Sequence, residues 1–224
     1  MKPFLVQKFG GTSLADIKGF EASADVIGMY TGEHRVIVVL SAVKGVTDLL
    51  LAAIDTAVEG GDGVAHLEEA IARERAVVDA LAELGVETPL ASGFLAEQYE
   101  TLSRRVQGIQ LLEQCPEETR ARILATGEGF SSRLMVDVLG NRGLRAQWSD
   151  TDVLPLANES WLDSLIDIEA AAPLLKKRLD TDSQVIVLPG FYGRNARGEI
   201  QLLGRNGTDY SAAAIAAAAG AGLC

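Results

Sequence analysis

Residues 35–40 read RVIVVL, an unbroken apolar run dominated by β-branched side chains. Strands buried on both faces, as in parallel sheets, carry such runs instead of an apolar–polar alternation. QVIVL at 184–188 reads the same way, and Phe4–Phe9 and Arg145–Ser149 are predicted as two further strands. Apolar residues at steps of three and four mark helices between them. Ile17, Phe20, Ala24 and Ile27 define one over about Leu14–Tyr30, with Ser13 as its N-cap and Gly32 at its end. Leu49, Leu50, Ala53, Ile54 and Ala57 define the inner side of the next, which starts at Val46 and Thr47. Strands alternating with helices predict an α/β domain with a mainly parallel sheet.

The stretch from Val64 to about Gln114 departs from this alternation. EGGDG at 59–63 is a turn, and two long helices follow, the first marked by Leu67, Ile71, Val78 and Leu81. The second carries Leu95, Tyr99, Leu102, Val106 and Ile109, a near-heptad spacing that suits an antiparallel helical hairpin. Such a face serves either as a packed insertion on the sheet or as a dimer contact. Pro116 opens a short helix with Glu117 and Glu118 in its first turn, and the next helix bears Phe130, Leu134, Met135 and Val138 until GNRG at 140–143 stops it. Asp150–Ser160 reads as a polar surface loop over the site, and Leu165–Leu179 as a helix. A hairpin is predicted from Phe191–Arg194 and Gly198–Leu203, then GRNGTDYS at 204–211, then an alanine helix over Ala212–Ala219.

Composition narrows the class. Of 224 residues, 48% are hydrophobic and 23% charged, so a packed core is expected; only 5% are aromatic, so aliphatic residues must fill it. The net charge of −11 argues against a nucleic-acid surface and means that any anionic ligand must be held by local cations. Cys115 and Cys224 make no disulfide framework and suit a reducing compartment. The N-terminus has too short an apolar run for a secretory signal, and Ala212–Ala219 is too short to cross a bilayer, so a cytoplasmic protein without membrane attachment is expected. His34 and His66 sit among polar residues, and no His and Cys cluster has metal-ligand spacing, so no protein-held metal is expected.

Ligands of open α/β sheets sit beyond the carboxyl ends of the strands. Here the polar and glycine clusters fall just past those ends: KFGG at 8–11, Ser41 to Gly45, and Pro189-Gly190. In VQKFGGTSL, Gly10 and Gly11 allow a tight turn with backbone N–H groups close to a ligand, and the helix start attracts anions. The same turn also serves plain close packing. Lys8 stands where a buried strand would want an apolar side chain, and is either paired or an edge lysine reaching water. Asp209 is its candidate partner or an ordinary helix cap. Glu128 follows a glycine at a helix junction, where it receives an ammonium group or merely suits a helix start. Arg205, in a glycine-containing turn, either clamps a carboxylate with two parallel bonds or is solvated.

Taken together, KFGGTS at 8–13, VVLSA at 38–42, the GE at 127–128 with Ser131, and LGRNGTDYSAA at 203–213 resemble aspartokinases of the amino acid kinase superfamily. The order matches along the whole chain. GIQLLEQCP at 108–116 and the asparagine of GRNGTDYS are most similar to the kinase part of bifunctional aspartokinase–homoserine dehydrogenases.

The resemblance implies a three-layer αβα sandwich and phosphoryl transfer from MgATP to the side-chain carboxylate of L-aspartate, giving 4-phospho-L-aspartate, the first step toward lysine, threonine and methionine. It implies that Lys8 neutralises the transferring group, that Gly10 and Gly11 offer amides to phosphate oxygens, and that Ser41 and Thr47 line the aspartate site. Glu128 would take the ammonium, Arg205 the α-carboxylate, and Asp209 would hold Lys8. ATP and its Mg2+ are the implied cofactors, L-aspartate the partner, and a homo-oligomer the expected assembly. Members of the family continue past the alanine helix into a nucleotide-binding strand and loop and then regulatory ACT domains. Residues 1–224 are therefore expected to be the substrate-binding portion of the catalytic domain, truncated, with little activity alone. The alternatives are a kinase for another carboxylate such as N-acetylglutamate, and a non-catalytic aspartate-binding or oligomerisation fragment.

Overall fold

A computed structural model describes residues 2–224. Strand β1 (Phe4–Phe9) is followed by a 3-10 turn at Gly11–Leu14, helix α1 (Ile17–Tyr30), strand β2 (Arg35–Leu40) and helix α2 (Val46–Val58). Helices α3 (Gly63–Glu83), α4 (Pro89–Leu112), α5 (Glu117–Leu124) and α6 (Thr126–Asn141) then run without a strand between them. Strand β3 (Ala146–Trp148), helix α7 (Ile168–Arg178) and strand β4 (Val185–Pro189) come next, and strands β5 (Tyr192–Arg194) and β6 (Ile200–Leu202) precede helix α8 (Gly207–Ala219).

The sheet order is β1-β2-β4-β3, with every pairing parallel. Register sets Val36 beside Val185 and Leu5 beside Val36. Because side chains alternate across a strand, β2 and β4 feed two cores. Val36, Val38, Leu40, Val185 and Val187 pack with the α1–α6 side around Phe20, Ile54 and Phe130. Ile37, Val39, Ile186 and Leu188 pack with Leu175 of α7 and Ile215 of α8. Helices on both faces of a parallel sheet make the expected αβα sandwich. At the open edge of β1, Val6 N donates to Leu223 O at 3.1 Å, a parallel bridge that lays the chain's last residues beside β1.

The helical hairpin α3–α4 forms, and it packs chiefly on α2 and α6. Its heptad face is core at Leu95, Leu102, Val106 and Ile109, which are buried, while Tyr99 is exposed. The antiparallel hairpin β5–β6 also forms as read from the sequence.

Four local readings change. Ser13 does not cap α1: its N–H is used in the 3-10 turn, donating to Gly10 O at 2.9 Å, and Asp16 caps the helix by accepting from Gly19 N at 2.9 Å. Helix α7 starts at Ile168, because Asp167 caps it through Ala170 N and Ile166 is held in a bridge to Leu156. Residues 150–160 are a surface loop only in part, with Asp152, Ala157 and Glu159 exposed. Thr151–Val153 form a 3-10 turn, and Val153 and Leu154 are buried in the second core. Finally, α8 begins at Gly207, five residues ahead of the alanine run, after Asn206 adopts a left-handed conformation (φ 60°). That earlier start places Asp209 in the helix's first turn.

Candidate functional site

The carboxyl ends of β1, β2 and β4 are stitched into one edge. Ser41 N donates to Phe9 O at 3.1 Å, and Gly190 N to Leu40 O at 2.8 Å. The first turn of α8 docks there: Ser211 Oγ accepts from Phe191 N at 3.0 Å and donates to Gly207 O at 2.7 Å. Along this edge Lys8 Nζ meets Asp209 Oδ1 at 2.9 Å. The sequence offered burial with a partner or an edge position for Lys8; the structure has it half-buried and paired. Gly10 lies directly under the ammonium, since a Cβ there would stand 3.2 Å from Lys8 Nζ. Gly11 lets the turn lie against the loop after β2, where a Cβ would come 3.2 Å from Ala42 O.

Glu128 reaches the same loop from α6. Gly127 permits the approach, because a Cβ there would stand 2.7 Å from Ala42 Cβ. Ser131 Oγ, one turn on, donates to Ser41 O at 2.6 Å and fastens the helix to the end of β2. Glu128 is 2% exposed and its Oε2 has no hydrogen-bond partner. Burial raises its pKa to about 8, against the pull of the backbone amides of Glu128 and Ala42. A carboxyl held in this state is stabilised by an incoming cation, which would return it to the charged form.

Glu74 on α3 escaped the sequence reading. It is 6% exposed, its Oε1 lacks a partner, and burial and then Glu128 push its pKa well up. The signal was present: Glu74 continues the buried stripe of Leu67, Ala70, Ile71, Val77 and Leu81. A charged residue on a core stripe is rare without a reason.

Ser41 and Thr47 are half-buried, one just past β2 and the other in the first turn of α2. Arg205 is exposed in the turn ahead of α8 and makes no ion pair or side-chain hydrogen bond among the described residues. Thus Lys8, Gly10, Gly11, Ser41, Glu128 and Asp209 are brought to one edge by β1, the turn after β2, α6 and α8. Arg205 stands at its rim. The edge is open: Asp209 is 63% exposed. Cavities lined by other residues lie elsewhere, between α7 and α8 and beside α4. The edge offers a cation, free amides and a buried acid to a ligand that bears both charge signs. Its Lys8 and glycine amides suit phosphate oxygens. Among the described residues no cluster of His, Cys, Asp or Glu is arranged to hold a metal, and no helix is long and apolar enough to cross a membrane.

A model of the amino acid kinase family matches residues 3–224. The chain is 30% identical over 226 residues to a bifunctional aspartokinase/homoserine dehydrogenase of Buchnera aphidicola, covering 97% of this chain and 27% of that protein. It is 30% identical over 223 residues to the lysine-sensitive aspartokinase 3 of Escherichia coli, covering 97% and 47% respectively. The crystal structure of E. coli aspartokinase III in complex with aspartate and ADP superposes with a TM-score of 0.78 at 30% identity, over 97% of this chain and 47% of that one. The chain thus spans 27% to 47% of the length of these relatives.

Proposed function

The chain belongs to the amino acid kinase family, and on that premise we propose that it carries the substrate side of an aspartokinase centre. In this reading it holds L-aspartate and MgATP at the Lys8–Asp209 edge and acts in the cytoplasm. The γ-phosphoryl group passes to the side-chain carboxylate of aspartate and gives 4-phospho-L-aspartate. One carboxylate oxygen forms a bond to the γ-phosphorus, the bond from that phosphorus to the β–γ bridging oxygen breaks, and ADP leaves with its electron pair.

The observation that carries this reading is a buried Glu128, whose Oε2 has no hydrogen-bond partner, on the same edge as the Lys8–Asp209 pair. The acid suits the ammonium of a free amino acid; the lysine and glycine amides suit phosphate. The nucleophile is a carboxylate with a pKa of about 4, already ionised near neutrality, so no general base is needed. What the reaction requires is alignment and relief of repulsion between two anions. Lys8 would lie against the transferring group with Gly10 and Gly11 giving amides to its oxygens, and Asp209 would hold Lys8 in place. Ser41 and Thr47 would line the aspartate, and Arg205 would fold over its α-carboxylate. Mg2+ would arrive with the nucleotide and neutralise the phosphate oxygens. The assembly in this reading is a homo-oligomer.

Glu128 speaks against an N-acylated substrate such as N-acetylglutamate, whose nitrogen carries no charge. The remaining alternative is an aspartate binder without turnover. Titration calorimetry with L-aspartate, N-acetylglutamate and a non-hydrolysable MgATP analogue separates the three, and hydroxylamine trapping of the acyl phosphate reads turnover. Aspartate binding is the expected result for residues 1–224, and a trapped acyl phosphate the expected result for a full-length version. Preference for N-acetylglutamate, or aspartate binding with neither nucleotide binding nor trapped product in a full-length version, would overturn the kinase reading.

A further inference from the structure

Four arginines, Arg105 of α4, Arg122 of α5, Arg133 of α6 and Arg194 of β5, line one cavity of about 270 Å³, against the two carboxylates Glu97 and Asp150. Two of the four are neutralised within the chain: Arg122 pairs with Glu118 at 2.7 Å, and Arg194 with Asp150 at 2.7 Å. Arg105 and Arg133 form no ion pair among the described residues, although both are half-buried. Arg133 is clamped between two rings, its guanidinium carbon 4.3 Å from the centre of Phe94 and 3.8 Å from that of Trp148. One of its nitrogens donates to Gly129 O at 2.7 Å. Stacking fixes the plane of the guanidinium and leaves its remaining N–H groups to point along that plane. Tyr192, 4% exposed, lines the same cavity, and its hydroxyl makes no hydrogen bond among the described residues. Arg122 Nε is also buried without a partner.

Partly desolvated guanidinium groups that face one another are costly unless an anion lies between them. Burial, and after it the charge of Arg122, lower the Arg105 pKa against the opposing pull of Glu118. Burial raises the Tyr192 pKa, so its hydroxyl stays protonated and able to donate. The chain as a whole carries −11, so this local excess of cations runs against the general field. Forked N–H donors and a hydroxyl converging on a small polar cavity match the oxygens of a tetrahedral or planar oxyanion.

We propose that the cavity enclosed by Arg105, Arg122, Arg133 and Tyr192 is an oxyanion-binding site, separate from the Lys8 edge and sized for phosphate, sulfate or a short dicarboxylate. It lies beside the first turn of α6, whose Thr126 and Gly129 line it and whose Glu128 accepts from the amide of Ala42 while its charge also reaches Tyr192. Filling it would brace α4, α5, α6 and the β5–β6 hairpin against one another.

The test is thermal unfolding and ³¹P line broadening of the full chain in inorganic phosphate, sulfate or succinate, with chloride holding the ionic strength constant. The oxyanions are expected to raise the unfolding midpoint over chloride, and phosphate signals to broaden in a saturable way. The part of this response that Arg105 supplies should persist in Lys8→Ala. Arg105→Gln should weaken phosphate binding by about tenfold or more, and Arg105→Lys should restore only part of it, since lysine lacks the fork. Arg133→Gln should act likewise; if it unfolds because the ring stack is lost, Arg105→Gln decides, since Arg105 is in no such stack. Equal midpoints in phosphate and chloride would overturn the proposal. So would a phosphate effect that vanishes in Lys8→Ala and survives in Arg105→Gln.

Discussion

Lys8 Nζ and Asp209 Oδ1 are 2.9 Å apart, and this contact joins the first strand to the last helix across almost the whole length of the chain. Asp209 is 63% exposed and Lys8 26%, so the pair is screened by water and adds at most about 1 kcal/mol to stability. Its place at the strand ends matters more. Lysine alone would move freely; held by the aspartate, it stands over Gly10, where a phosphate would bind amides and ammonium together.

In a full-length version, Lys8→Ala is therefore expected to leave folding nearly intact and to lower phosphoryl-transfer turnover by roughly 10²–10³-fold. Acyl-phosphate trapping measures the turnover and circular dichroism the fold. Turnover close to that of the unaltered chain would remove Lys8 from the reaction.

Glu128 gives aspartate binding a pH dependence. Its carboxyl is pushed up to about 8 in the empty site, so binding an ammonium there expels a proton at pH 7. Affinity for L-aspartate should rise with pH, by up to about tenfold per unit, and level off above 8. Glu128→Gln should bind weakly and without that slope. Calorimetry in buffers of different ionisation enthalpy would count the proton directly.

The same shift acts on stability with a defined sign. From about pH 4.5 to 8 the folded chain keeps a proton at Glu128 that the unfolded chain has released. Stability should fall as the pH rises through that window. Glu74, raised in the same direction, adds to the fall. Glu74→Gln should flatten the dependence and stabilise the chain at pH 8 more than at pH 5, which urea unfolding at the two pH values would read.

Arg205→Ala is expected to act on binding with little effect on folding, because the side chain is exposed and unpaired among the described residues. Losing one charge-assisted contact worth about 1.5–3 kcal/mol would weaken aspartate binding by about tenfold to a hundredfold. An unchanged affinity would place the α-carboxylate elsewhere.

Gly127→Ala would drive a methyl to 2.7 Å from Ala42 Cβ and 3.2 Å from Val46 Cγ1. Overpacking of this kind costs about 1–3 kcal/mol. It should also loosen the Ser131–Ser41 contact that holds Glu128 over β2, so the unfolding midpoint and the aspartate affinity should fall together.

The sequence by itself determined where the strands and helices lie, because those choices are made locally. RVIVVL and QVIVL have no polar face to offer water, and the stripes of α1, α2 and α4 repeat within a few residues of themselves. It also determined that Lys8 stands near a strand end and Glu128 and Asp209 at helix starts, and hence all three as site residues worth testing. The tertiary structure decided the strand order β1-β2-β4-β3 and the meeting of Lys8 with Asp209. It also decided the burial that shifts Glu128 and Glu74, and the convergence of Arg105, Arg122, Arg133 and Arg194 on one cavity. Desolvation and ion pairing are energies between groups far apart in the chain. Their size depends on what surrounds each group in space, which neighbouring letters do not specify. Even the helix cap at Asp16 followed this rule, since the turn that used up Ser13 was itself set by packing against the loop after β2.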